Sequence, residues 1–116
     1  MTTHYLKCWP VYFGLVLSGA KQFELRKNDR NYQVGDVLIL CEYDPDVYER
    51  HLALLLGTPL AVAAEAGDDE EVLNDLRNEA MELAYTGARC RRVISCIVAD
   101  GPWLTPGYVA MGLREE

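Results

Sequence analysis

The 116-residue chain is 50% hydrophobic, contains two Trp, seven Tyr and two Phe, and carries a formal net charge of −7. That length suits one domain, and that apolar content supports a buried core, which excludes an intrinsically disordered chain. No apolar run of about 18 residues and no leader-type N-terminal segment is present, so the reading excludes a membrane partner and places the chain in the cytoplasm.

His4 to Cys8 reads as a short strand. Pro10 then sits at the favoured first position of a helix that continues from Val11 to Leu17, with Gly19 as its stop. Trp9, Tyr12, Phe13 and Val16 fall three and four apart, on one helical face. Core packing is the expected role of that cluster, and a base-stacking wall is the alternative. Gln22 to Arg26 alternates, with Phe23 and Leu25 on one side of a strand and Gln22, Glu24 and Arg26 on the other. A polar turn at Lys27 to Arg30 and a second at Val34-Gly35-Asp36 precede Val37 to Cys41, an apolar run short enough for a strand buried on both faces. Asp44-Pro45-Asp46 ends it.

The middle of the chain is helical in pattern. One helix is expected over 47–56 and another over 68–84, where Asp68 and Glu71 have capping-box spacing and Val72, Leu76, Ala80 and Leu83 form one stripe. Arg89 to Ala99 returns to strand character, Gly101-Pro102 breaks it, and Pro106-Gly107 turns the chain into a last strand over Tyr108 to Leu113. These elements predict an α+β domain around a small mixed β-barrel, with an N-terminal helix and a helical insertion at about 47–84.

Charge is divided unevenly. Asp44 to Tyr85 holds eleven acidic residues against Arg50 and Arg77, a balance of −9, while the rest holds nine cations against seven acids, +2. Exposed charges act within a Debye length of about 8–10 Å, so a mildly basic barrel can still attract an anionic partner despite the negative total. The four cysteines, Cys8, Cys41, Cys90 and Cys96, form no CxxC pair, and only His4 and His51 could join them as metal ligands. Reduced, mostly buried thiols are expected, with no metal and no cofactor.

Three runs together resemble a known family: His4-Tyr5-Leu6-Lys7-Cys8-Trp9-Pro10, Gly19-Ala20-Lys21-Gln22-Phe23-Glu24-Leu25-Arg26-Lys27-Asn28-Asp29-Arg30, and Val34-Gly35-Asp36. With Glu42-Tyr43-Asp44, Tyr85-Thr86-Gly87 and Gly107-Tyr108-Val109 they are similar to the ASCH-like proteins of bacteria and phages, small PUA-like β-barrels. The resemblance covers about residues 4–46 and 85–114. It implies a single ASCH-like domain over 1–116, interrupted by some forty residues where relatives have a short hairpin connection.

The resemblance further implies a cleft lined by Lys21, Glu24 and Arg26, with ligand contacts extending to Lys27, Asn28 and Arg30. A strand over 22–26 puts Glu24 and Arg26 on one face. Arg offers a bidentate fork to phosphate, and a carboxylate can accept from a base edge or act as a general base. An Arg–Glu pair that merely closes the barrel mouth is the structural alternative. Arg89, Arg91 and Arg92 form a second basic cluster; Arg89 and Arg91 share a strand face and could grip a nucleic-acid backbone, a solvated edge that discourages sheet pairing being the alternative. Trp9 and Trp103 are candidates for stacking on a base, with core or rim packing the alternative for Trp103.

The leading expectation is an RNA- or nucleotide-binding module. A hydrolase of the same fold, acting on acylated cytidine or RNA through Lys21 and Glu24, is the second. In relatives similar to acetylcytidine amidohydrolases a Thr stands three residues after the Lys, and here that position is Glu24. A third expectation is a protein partner for the acidic insertion.

Overall fold

A computed structural model describes residues 1–57 and 70–116. Eight elements follow one another: β1 (Thr3–Cys8), α1 (Pro10–Leu17), β2 (Phe23–Lys27), β3 (Val37–Tyr43), α2 (Pro45–Leu56), α3 (Glu70–Ala84), β4 (Tyr85–Val98) and β5 (Tyr108–Arg114). The fold is mixed α+β, with a five-stranded half-barrel sheet in the order β1-β3-β4-β5-β2 and, among the described residues, three helices. The chain divides into two compact units, Met1–Cys41 with Arg89–Glu116, and Glu42–Ala88. The second unit brackets the predicted insertion and begins a few residues earlier.

The first unit holds the main core. Leu6 and Cys8 of β1, Phe13 and Val16 of α1, Leu38 and Leu40 of β3, Cys90 and Ile94 of β4, and Val109, Met111 and Leu113 of β5 form one cluster with Tyr32. Burial along β1 alternates strictly, whereas β3 is buried on both faces, as its continuous apolar run predicts. β5 lies antiparallel between β2 and β4, with a register shift between Ile94 and Cys96 that leaves Ser95 as the extra residue of a bulge. A buried polar knot closes the start of the unit. Both Asp36 carboxylate oxygens are engaged, by the Thr2 amide at 2.9 Å, His4 Nε2 at 2.9 Å and the Gln33 amide at 3.0 Å.

α1 starts at Pro10, as predicted, but its aromatic face divides. Phe13 and Val16 enter the core, while Trp9 and Tyr12 remain exposed. Trp9 is the extended N-cap residue and lies outside the helical repeat, and Tyr12 falls at the flank of the stripe that Phe13 and Val16 bury.

In the second unit the Asp44 side chain accepts from the Asp46 amide at 3.0 Å, Pro45 opens α2, and Gly57 closes it at φ 69°, a left-handed conformation that favours glycine. Its ends meet: the Asp44 amide donates to the Ala84 carbonyl at 3.0 Å, and Thr86 Oγ1 donates to Glu42 Oε1 at 2.8 Å. The buried residues of α3 are Leu73, Ala80 and Ala84, so the stripe is turned from the expected one and Val72 and Leu83 stay exposed. Both stripes have helical spacing and share Ala80, and docking against α2 selects between them. The predicted cap at Asp68 and the start of the helix at 68–69 lie outside the described residues.

Three of the cysteines are buried and Cys96 is exposed; all are free thiols. No helix among the described residues is long and apolar enough to cross a membrane.

Candidate functional site

The site grows out of β2 and its register. Glu24 stands opposite Met111 and Arg26 opposite Val109, two fully buried residues of β5, so the even-numbered side chains of β2 point to the core side. Glu24 is consequently 3% exposed, while Phe23 and Leu25 are 54% and 52% exposed. The charged face is the inner one.

Lys21 is fixed just before this strand. Its amide donates to the Leu15 carbonyl at 2.9 Å after the chain leaves α1 through Gly19, whose φ of 84° is left-handed. The next residue is tied to β5, since the Leu113 amide donates to the Gln22 carbonyl at 2.9 Å. Lys21 Nζ then donates to Glu24 Oε1 at 3.0 Å, and Arg26 Nε donates to Glu24 Oε2 at 2.9 Å. The carboxylate is thus held between two cations, one on each oxygen, which offsets the cost of burying it. The Lys21 ammonium also lies 5.4 Å from the Tyr12 ring centre and 5.2 Å from that of Phe23, within cation–π range.

These groups line an open cleft of about 740 Å³. Glu24, Lys21 and Arg26 supply its charge, Trp9, Tyr12, Phe23 and Tyr108 its aromatic surface, and Lys7, Cys8 and Leu25 the rest. The Trp9 and Tyr12 rings are stacked with centroids 6.4 Å apart and planes 28° apart. Burial, and then the neighbouring Glu24 carboxylate, push the Cys8 thiol up to about 11, so it is protonated at neutral pH. The arrangement offers flat apolar surface beside a group of donors and acceptors, the chemistry that grips a planar polar ring.

The other predicted contacts are distributed elsewhere. Arg26 Nη2 donates to the Lys7 carbonyl and Arg30 Nη1 to the Tyr5 carbonyl at 2.8 Å. β1 and β2 stand at opposite ends of the strand order, so these two guanidinium groups lace the two sheet edges together. Arg30 therefore has a structural bond, and with Lys27 it lines a separate 230 Å³ recess rather than the cleft. The Asn28 amide donates to the Gly107 carbonyl at 2.8 Å, continuing the β2–β5 pairing.

Arg89 and Arg91 flank buried Cys90 on one face of β4 and do not line the cleft. Arg89 lies 5.7 Å from the Tyr5 ring centre, and Arg91 makes two hydrogen bonds to Glu116 at 2.9 and 3.0 Å. Trp103 is 80% exposed and outside the cleft lining, so it has neither the packed environment nor the position beside Lys21. Lys7, Cys8, Phe23, Leu25 and Tyr108 line the cleft without being singled out from sequence, and Tyr12 takes the wall position that is the alternative for its aromatic cluster. Phe23 and Leu25 gave a misleading signal, because apolar members of an alternating strand ordinarily face the core. Among the described residues no group of three or more His, Cys, Asp or Glu side chains is arranged to hold a metal ion.

A small mixed α+β unit with an aromatic cleft around a buried carboxylate is the class that fold and site define. The chain belongs to the family described as a domain of unknown function, DUF3850, whose model matches residues 3–113. A protein of Escherichia phage P2, described as an uncharacterized 12.9 kDa protein in the GpA 3′ region, is 51% identical over 45 residues. That alignment spans 39% of this chain and 41% of the phage protein.

Proposed function

We propose that this chain is an ASCH-like module of the PUA-like class that binds RNA, or a nucleotide within it, in the Lys21–Glu24–Arg26 cleft. The observation that carries the reading is a buried carboxylate, paired with two cations, opening onto a 740 Å³ cleft with four aromatic residues in its lining. A buried ion cluster adds little net stability over well-packed apolar side chains, so this one, opening onto a cleft, is better explained by a ligand than by stability. An ionised carboxylate has about four acceptor sites, and two cations leave room for a donor from a base edge. The aromatic walls suit stacking, worth about 1–3 kcal/mol per base, and the cations suit phosphate.

Catalysis is the weaker reading. Cys8 is held as a thiol and offers no thiolate nucleophile, and both oxygens of Glu24 are already engaged by cations. The test is titration of short single-stranded RNA and acylated cytidines, followed by Trp9 fluorescence in a Trp103→Phe background. Affinity is expected to fall as salt rises and to weaken in Lys21→Ala, while Glu24→Gln changes it modestly or raises it. Release of product from an acylated cytidine, lost by about 100-fold or more in Glu24→Gln, would establish the hydrolase instead. Absence of binding at low salt would overturn the proposal.

A further inference from the structure

A second cavity, of about 450 Å³, lies on the other side of Lys21, between the end of α1 and the end of β5. Lys21 belongs to the lining of both cavities. The second is lined by Ser18, Gln22, Arg92 and Arg114, with Glu115 as its acidic member. Arg92 and Arg114 face one carboxylate, with Lys21 paired to Glu24, which leaves the lining electropositive in a chain whose total charge is −7.

The cations are held differently. Arg92 is only 13% exposed and its guanidinium is anchored by the chain itself, Nη1 donating to the Arg91 carbonyl at 2.8 Å and Nη2 to the Val16 carbonyl at 3.1 Å. Val16 O also accepts from the Gly19 amide at 3.0 Å, so this carbonyl at the end of α1 is occupied and does not confront an incoming anion. Arg114 is exposed and donates to the Glu115 carbonyl at 3.3 Å. The Glu115 carboxylate reaches to 3.6 Å from Arg92 Nη2, too long for a good hydrogen bond, and its side chain is 82% exposed. It is an anion attracted to this place and loosely kept there. A phosphate group has the same charge sign, more acceptor oxygens and a better match to the guanidinium fork.

We propose that this cavity is a phosphate subsite, in which Arg92 and Arg114 bind the phosphoryl group attached to a nucleoside seated in the aromatic cleft. The inference rests on the cleft reading and sharpens it: the preferred ligand is a phosphorylated nucleotide or a polynucleotide, not a bare nucleoside. Lys21 stands at the passage between ring and phosphate. Glu115 is a built-in competitor that a phosphate displaces.

The test titrates the full chain with inorganic phosphate, the common nucleosides and their 5′- and 3′-monophosphates. The NMR signals of the Arg92 and Arg114 guanidinium groups report the subsite, and the Trp9 indole signal reports the cleft. Monophosphates are expected to move all three signals, nucleosides only Trp9, and phosphate only the two arginines. Arg114→Gln should weaken monophosphate binding about tenfold, the loss of one charge-assisted hydrogen bond. Glu115→Gln should tighten it about threefold, as for removal of one exposed competing charge. Neither should alter nucleoside binding, and both residues are exposed enough to be changed without unfolding the chain. Arginine signals unmoved by phosphate and monophosphate, with Trp9 still responding to nucleosides, would overturn the subsite and leave the cleft reading intact. Arginine signals that move while Trp9 stays still would show an anion site unconnected to the cleft and overturn both the cleft reading and the nucleotide subsite built on it. Silence at both would overturn both.

Discussion

Strand β2 and helix α3 are both amphipathic, yet β2 turns a carboxylate inward while α3 turns its carboxylates outward. In α3 the division follows transfer free energy: Leu73, Ala80 and Ala84 are buried, and Glu70 pairs with Arg77 at 2.9 Å on the outside. In β2 the same rule is reversed, with Glu24 buried and Phe23 and Leu25 exposed. Leaving two such side chains half in water forgoes part of the roughly 1.5–3 kcal/mol that full burial of each would bring, and burying a carboxylate adds its own desolvation cost. A strand holds that orientation only when its register is dictated by neighbours. Pairing with β5 opposite Met111 and Val109 does so here. The helix thus follows transfer free energy, while the strand is held against it by its register.

The widest separation of the two regions removes one of them. Replacing 47–84 with a short Gly/Ser turn should leave a folded, β-rich protein, because the Asp44 amide and the Ala84 carbonyl are hydrogen-bonded at 3.0 Å and the main core lies outside the segment. Circular dichroism should show helix loss with a surviving cooperative melt. Complete unfolding would show that the strand unit depends on the helices.

The charge cluster of β2 comes next. Glu24→Ala leaves Lys21 and Arg26 partly buried without their counter-charge and should lower stability by roughly 3–5 kcal/mol in urea unfolding. The triple change Lys21→Met, Glu24→Leu, Arg26→Met should recover most of that stability and bind no RNA. A triple variant as unstable as the single one would make the cluster a structural element and remove the contrast with α3.

Two leucines of α3 then test its orientation. Leu73→Ala should cost roughly 2–4 kcal/mol through transfer and cavity effects, whereas Leu83→Ala, on the exposed side, should stay within about 0.5 kcal/mol. Reversed values would restore the stripe expected from sequence.

The smallest effect is confined to acid. The Thr2 amide, and then His4, hold the Asp36 carboxyl below its ordinary value of 3.8. The folded chain therefore binds fewer protons there than the unfolded one. Its contribution is fully present above that ordinary value and is lost as pH falls through the lower folded one. Acid unfolding of Asp36→Asn should show a shallower pH dependence below about pH 4, with the first unit affected first. An unchanged acid limb would deny Asp36 this role.

Much of this was legible in the chain. Pro10, Asp44-Pro45, Gly57, Gly101-Pro102 and Pro106-Gly107 punctuate the elements because their backbone limits act locally, whatever the rest of the chain does. The apolar run at Val37 announced a strand buried on both faces, and the Gly-x-Lys-x-x-Glu-x-Arg spacing brought forward the three charged residues that do meet. Period alone could not say which face of β2 is inner, which of two overlapping stripes α3 buries, or that Arg30 would bond to Tyr5 across the sheet edges. Alternation and helical spacing distinguish the faces of an element but not the neighbours they meet. That choice is made by register and docking between residues distant in sequence, where Met111 and Val109 draw Glu24 and Arg26 inward and the edge-strand carbonyls draw the arginines across.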